Sequence, residues 1–370
     1  MEFSKKDMKI LQGVAILFML ALHLFARKEI NGLYEIFPEI NGVPLVYYLA
    51  LFGDACVPIY LFVSGYGLYV SLRKEKGSVI KKNMYRILKL LINFWIILFT
   101  FMIVAFFLGK YSEAFSGGIT SFLLNFLLFS NSFNGAWWYV QTYVILIILT
   151  PFLMKTVKNH STLLVFFVAG VIYFFSYLQR IKQFIDIGDN FMLVTIVNAI
   201  VLVGTSQFAF VVGMIFAKDH IYTKLHKQFY QVRFKNLACM LGIFLLVFIH
   251  ALYESMIIAP ITGILFICLF NLMNKSNWLQ KSLRYMGDHS TNIWLIHMFF
   301  YMSLFPNLIF APKYPLLIFL NLVFFSLLSS YVINTMYKPI VKVIDKKQRK
   351  IENSFKDRVY NPLKTDSAKL

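Results

Sequence analysis

Four ionisable side chains, His23, Asp54, His250 and His297, stand inside long apolar stretches of this 370-residue sequence. A titratable group in such a setting is expensive to hold and marks a functional position by default. Imidazole is close to neutral at physiological pH and accepts a proton from a hydroxyl, so His23 and His297 are the candidates for acid–base chemistry. His23 follows Gln12 by eleven residues, which on a helix places it about 16 Å further along the axis. A helix-packing histidine bonded to a neighbouring carbonyl would show the same spacing, and the spacing does not choose between them. His250 stands at the end of its stretch near Glu254 and reads as interfacial.

Other side chains suggest ligand contacts. Ser64-Gly65-Tyr66-Gly67 offers a hydroxyl beside glycines that admit a slender ligand, or simply another helix. Lys74, Lys76, Lys81, Lys82, Arg86 and Lys89 form the densest basic cluster, suited to the phosphates of a cofactor or to anionic lipid. Trp137-Trp138-Tyr139, with Gln141 and Tyr143, can stack on a saccharide and hydrogen-bond it, or form part of an interfacial aromatic belt. Met286-Gly287-Asp288-His289-Ser290 reads as a helix start capped by Asp288 or Ser290, with His297 about two turns further in. Cys56, Cys239 and Cys268 lack metal or redox spacing and read as core packing.

The scaffold that positions these residues has to be a membrane one. Apolar residues make up 59% of the chain and charged residues only 14%, too few charges for a surface facing water. Ten apolar segments between Met8 and Tyr337 approach the length of a bilayer crossing. The first follows Lys5, Lys6 and Lys9, lacks a cleavage site and reads as a retained helix. With the N-terminus inside, only Arg27, Lys28, Lys110, Arg180, Lys182 and Lys313 of the 36 Lys and Arg fall outside, as the positive-inside rule requires. The net charge of +19 is therefore assigned to the cytoplasmic face, and no nucleic acid partner is expected.

The stretch from Pro44 to Leu72 has 29 residues and would rise roughly 43 Å as one helix against a hydrocarbon core of about 30 Å. A break is expected at Pro58, which lacks an N–H. Ile119 to Phe129 is too short to span and reads as re-entrant or interfacial. The expected fold is an all-α membrane protein of about ten transmembrane helices, both termini cytoplasmic and the second helix broken near Pro58. Residues 1–345 form the membrane domain and 346–370 a polar, poorly ordered cytoplasmic tail.

Taken in order, these segments resemble the membrane acyltransferase family 3, bacterial multi-pass enzymes that O-acylate surface polysaccharides and other extracytoplasmic acceptors from cytoplasmic acyl-coenzyme A. Gln12 through His23 is similar to the family's first-helix motif of an arginine, ten residues and a histidine, with Gln12 in the arginine's place and His23 in the catalytic position. Val57 to Tyr66 resembles its aromatic-rich run ending in Ser-Gly-aromatic, with Pro58 where the family has an aspartate. Lys81-Lys82 with Arg86 resembles the basic entry to its third helix. Trp138-Tyr139 resembles the segment around its fourth-span tryptophan, and Gly287 to Ser290 through His297 its Gly-x-x-Ser and histidine segment.

The resemblance implies an O-acyltransferase domain over residues 1–345, moving an acyl group, by family acetyl, from acyl-CoA to a hydroxyl of a cell-surface or capsular polysaccharide. It implies His23 as general base, with His297 positioning the acceptor or stabilising charge, and a transient acyl-enzyme equally open. Arg86, Lys82, Lys9, Gln12, Ser64 and Gly65 would meet the donor, Lys9 or Arg86 replacing the missing arginine. Trp138, Tyr139, Gln141 and Ser290 would meet the acceptor. No metal is expected. The expected partners are membrane lipid, a glycan acceptor and polysaccharide biosynthesis proteins, at a bacterial cytoplasmic membrane. An exporter of lipid-linked saccharides, or a non-catalytic relative, is the alternative.

Overall fold

The first helix, α1 (Lys5–Phe25), begins where the Ser4 side chain accepts from the Asp7 amide and the Asp7 side chain accepts from the Ser4 amide. This reciprocal cap satisfies donors that have no partner inside the helix. The computed structural model describes residues 2–73 and 79–360. Lys74 and Lys76 of the basic cluster, and residues 361–370 of the tail, lie outside the described residues.

An antiparallel pair of short strands, β1 (Glu39–Ile40) and β2 (Val43–Pro44), leads into α2 (Leu45–Leu51), a 3-10 turn over Phe52–Ala55 and α3 (Cys56–Leu72). Next come α4 (Val79–Phe107), the short α5 (Tyr111–Ala114) and α6 (Gly118–Phe126), α7 (Trp138–Asn159), α8 (Thr162–Lys182) and α9 (Phe191–Asp219). The chain ends with α10 (Ile221–Phe229), α11 (Lys235–Leu252), α12 (Ala259–Leu272), α13 (Asn277–Met298), α14 (Pro306–Phe310) and α15 (Pro315–Tyr360). A π-helical turn over Phe299–Ser303 extends α13.

The protein is all-α, and among the described residues eight helices are long and apolar enough to cross a membrane. The apolar helix Met256–Leu272 is shorter, and α13 carries Lys281, Arg284 and Asp288 between its start and its middle. The α9 crossing is 72% buried inside the protein and the α8 crossing 17%, so α9 is central and α8 peripheral. The short α6 lies against α4, where Trp95 Nε1 donates to the Phe126 carbonyl at 3.1 Å. The last helix runs through residue 346 to Tyr360 without a turn.

Two expectations about local structure are corrected. The break in the second segment lies at Phe52–Ala55, ahead of Pro58. Pro58 falls in the first turn of α3, where its missing amide costs no helical hydrogen bond. Gly53 instead faces the backbone of α1 at Phe18 and Leu22, so the turn follows the helix it leans on. The second correction concerns Met286 to Ser290, which is helix interior and not a helix start. Ser276 caps α13 by accepting from the Leu279 amide, Asp288 reaches Lys9 at 3.8 Å, and Ser290 donates back to the Gly287 carbonyl at 2.9 Å.

The connections sort to two ends of the bundle. At the end where α1 finishes, Glu254 joins Lys28 at 2.8 Å and Tyr47 at 2.8 Å. Lys313 donates to the Gly32 carbonyl at 3.1 Å and Lys110 to the Leu304 carbonyl at 2.9 Å. At the end where α1 starts, His220 bonds Glu2, Thr162 bonds Asp219 and Lys218 donates to the His160 carbonyl at 3.0 Å.

Glycine brings the central helices together. A methyl at Gly13 would collide with the Leu283 carbonyl, and one at Gly287 with the Lys9 carbonyl. Gly65 and Gly213 make the same kind of contact between α3 and α9, against Phe210 and Phe62. Close approach of this sort replaces the hydrophobic drive that lipid removes.

Gly287→Ala is expected to destabilise the purified protein by about 1–3 kcal/mol, measured as thermal unfolding in detergent. Gly170→Ala is the contrast, since a methyl there meets only Phe208 Cε2 at 3.7 Å and should cost nothing. A second expectation concerns pH. Hydrogen bonds from Lys28 and Tyr47 hold the Glu254 carboxyl below its ordinary 4.5, so the clamp stabilises fully above that value and is lost as pH falls through the lower folded one. Melting temperature followed against pH should show a shallower acid limb in Glu254→Gln.

Candidate active site

The crossing at Gly13 and Gly287 sets α1 and α13 side by side and running the same way, with a histidine ten residues beyond each glycine. His23 and His297 meet there, their ring centroids 4.9 Å apart and their planes inclined by 19°. His23 Nδ1 lies 2.6 Å from His297 Nε2, and His297 Nδ1 lies 2.7 Å from the Trp294 carbonyl oxygen. A carbonyl oxygen only accepts, so His297 Nδ1 carries the proton and its Nε2 is the acceptor. His23 then donates from Nδ1, and its Nε2 keeps a lone pair.

The two rings differ in access. His297 is fully buried, whereas His23 lines a cavity of about 320 Å³. The π-helical turn that follows His297 places Tyr301 alongside, 6.0 Å from its ring; such turns recur at functional sites. The segment before α7 is pinned to the same stretch of α13. Trp137 Nε1 and Asn134 Nδ2 donate to the Leu295 carbonyl at 2.9 and 3.1 Å, and Trp294 Nε1 donates to the Ala136 carbonyl at 3.2 Å.

Gln12 and Ser64 line the cavity towards the start of α1, and Asp54, Tyr177 and Arg180 line it towards the end where α1 finishes. Tyr60 lines it and donates to the Gln12 carbonyl at 3.2 Å, and Tyr143 lines it beside Ser64. Tyr139 also lines the cavity. Its hydroxyl is buried without a hydrogen-bond partner, an arrangement that a ligand oxygen would complete.

The structure therefore gathers His23, Gln12, Ser64, Trp138 and Tyr139 around one space, with His297 behind His23. Gly65 is elsewhere, packed on the Phe210 backbone. Lys9 is tied to the Gly287 carbonyl at 3.3 Å and to Asp288. Arg86 donates to Asn83 Oδ1 at 2.9 Å and Ser71 Oγ at 3.0 Å, both neutral groups. Neither Arg86 nor the half-buried Lys82 lines the cavity. Ser290 is buried and donates to the Gly287 carbonyl at 2.9 Å. Gln141 lines a second cavity, of about 610 Å³, which shares Trp138 and Arg180 with the first.

Sequence reasoning missed Trp294, Tyr60 and Arg180. Trp294 precedes His297 by three residues, a spacing that puts the two on one face, and that is the only signal the chain offers. His250, read as interfacial, is buried and bonds Thr262 at 2.7 Å; it braces α11 against α12.

A sequence-family model described as an acyltransferase domain matches residues 5–335. No curated protein and no solved structure matches the chain.

The difference in access between the two histidines can be read by chemical labelling. Diethyl pyrocarbonate attacks unprotonated imidazole nitrogen, so the folded protein in detergent should be labelled at His23 and spared at His297, as peptide mass mapping would show. Equal labelling of both rings would contradict the burial of His297 behind His23.

Proposed function

The chain belongs to the acyltransferase 3 family, whose model matches residues 5–335, and from that premise we propose that it carries an acyl group, acetyl first among the candidates, from cytoplasmic acyl-CoA to a hydroxyl of a cell-surface glycan. The observation that carries this reading is the hydrogen-bonded series from the Trp294 carbonyl through His297 to His23, which ends in a lone pair at the cavity wall.

In the proposed reaction His23 Nε2 takes the proton of the acceptor hydroxyl as the oxygen attacks the thioester carbonyl. The new C–O bond forms, the C–S bond breaks, and the proton passes from His23 to the departing sulfur to give the free thiol. His297 receives the hydrogen bond of His23 Nδ1 throughout, which keeps the ring oriented and spreads the charge it acquires. The Tyr139 hydroxyl, buried and unpartnered, supplies a donor to the oxygen that becomes negative when the carbonyl turns tetrahedral.

A space of about 320 Å³ accepts the acylated end of a pantetheine arm, and the nucleotide would remain outside it. Arg86 is the better replacement for the missing arginine, because its charge has no carboxylate partner among the described residues whereas Lys9 faces Asp288. Gln12 then contributes as a neutral wall of the cavity.

In this reading the chain makes ten crossings of a bacterial cytoplasmic membrane with both termini inside, an orientation supported by the lysine and arginine distribution. The donor would enter near the start of α1 and the acceptor near its end.

With the protein reconstituted in proteoliposomes, His23→Ala should lower acyl transfer about 10²–10⁴-fold, and Tyr139→Phe should lower kcat about 10²–10³-fold. Full activity in His23→Ala would remove the histidine from the mechanism. Absence of protein-dependent thioester cleavage in the wild type would favour the exporter instead.

A further inference from the structure

The second cavity is built where α7 begins, α8 ends and α9 begins, and the turn at Ile185–Asp189 closes it. Gln179 shapes that turn from inside. Its side chain donates to the Ile185 carbonyl at 3.0 Å and accepts from the Ile185 amide at 3.0 Å. A volume of about 610 Å³ falls within the range of about 300–1,000 Å³ usual for ligand sites.

The wall of this cavity differs from that of the His23 site. Gln141, Gln183 and Asn198 line it, and among the described residues no hydrogen bond engages their side chains. Each amide presents donors and an acceptor at once, the combination that a hydroxyl, itself both donor and acceptor, satisfies. The lining holds one cation, Arg180, and two carboxylates, Asp186 and Asp189, so its formal charge is not positive and the surface does not select for a polyanion. The Arg180 guanidinium lies 5.5 Å from the Trp138 ring centre, which fixes the indole where the two cavities meet. An aromatic face of this kind takes the C–H face of a pyranose while amides take its hydroxyls.

We propose that the amide-lined cavity is a docking cleft for a neutral oligosaccharide, holding sugars that flank the reacting one while that one passes Trp138 towards His23. The identification of this glycan as the acceptor rests on the acyltransfer reading above; its binding to the cleft is measured without turnover. Because His23 lines only the first cavity, recognition is separated from chemistry. A chain longer than one sugar gains contacts that a free monosaccharide cannot make.

The test uses the full chain in nanodiscs and a graded length series of oligosaccharides, from one sugar upwards, prepared by deacylating and fragmenting the surface polysaccharide of the source cells. Binding is followed by isothermal titration. Affinity should rise about tenfold from the shortest to the longest member. Asn198→Trp, which fills the cleft at an exposed position, should abolish that gain, and Gln141→Ala with Gln183→Ala, which empties it, should reduce the gain severalfold. Length-independent binding, or a gain that survives Asn198→Trp, overturns the cleft. Loss of the gain when phosphatidylglycerol is added to the nanodiscs assigns the cavity to a lipid headgroup and also overturns it. A preserved gain in a wild-type protein that transfers no acyl group would refute the enzymatic reading and leave the cleft standing.

Discussion

Two glycines decide where the histidine pair can form. In lipid the apolar faces of helices gain nothing by leaving their solvent, so association depends on how closely backbones can approach. At Gly13 and Gly287 there is no Cβ to keep α1 and α13 apart, and each glycine faces a backbone carbonyl of the other helix. The contact leaves little freedom to slide. The two helices run the same way, and equal distances along them bring His23 and His297 within 2.6 Å. Gly65 and Gly213 join α3 to α9 by the same means, and between the two joined pairs lies the cavity.

The histidine pair shows how a buried polar group acquires a direction. A lone imidazole has two tautomers, and nothing in the ring prefers the useful one. The Trp294 carbonyl settles the matter for His297, and His297 settles it for His23. Low dielectric surroundings strengthen both bonds and make any misplacement costly. The surrounding structure accordingly pins the peptide segment around His297 from several sides, through Trp137, Asn134 and Trp294. The orphan hydroxyl of Tyr139 is the counterexample in the same space: a buried group left unsatisfied where a substrate would complete it.

Several expectations failed in ways that share a cause. Gly65 was a ligand candidate and proves to be a packing glycine, because a residue without a side chain looks the same in either role until its neighbour is known. The start of α13 was placed too late because Lys281, Arg284 and Asp288 interrupt the apolar pattern. Those charges lie on a helix that serves as a scaffold along its whole length. The break near Pro58 was attributed to the missing amide, yet the contact of Gly53 with α1 sets its position. The partners of Lys9 and Arg86, Asp288 for the one and Asn83 and Ser71 for the other, were equally invisible along the chain.

Sequence alone determined the solvent, the helical class and the residues worth attention. Hydropathy and charge are sums over the chain, and His23, His297, Ser64, Trp138 and Tyr139 are conspicuous by type and setting. Tertiary structure alone decided that the two histidines are bonded in series, that Gly65 and Ser290 pack and do not line the cavity, and that Gln141 belongs to a second cavity beside the first. The physical reason is distance along the chain. A hydrogen bond between residues 274 positions apart leaves no local pattern, since it is created by the packing of helices that each satisfy their own backbone.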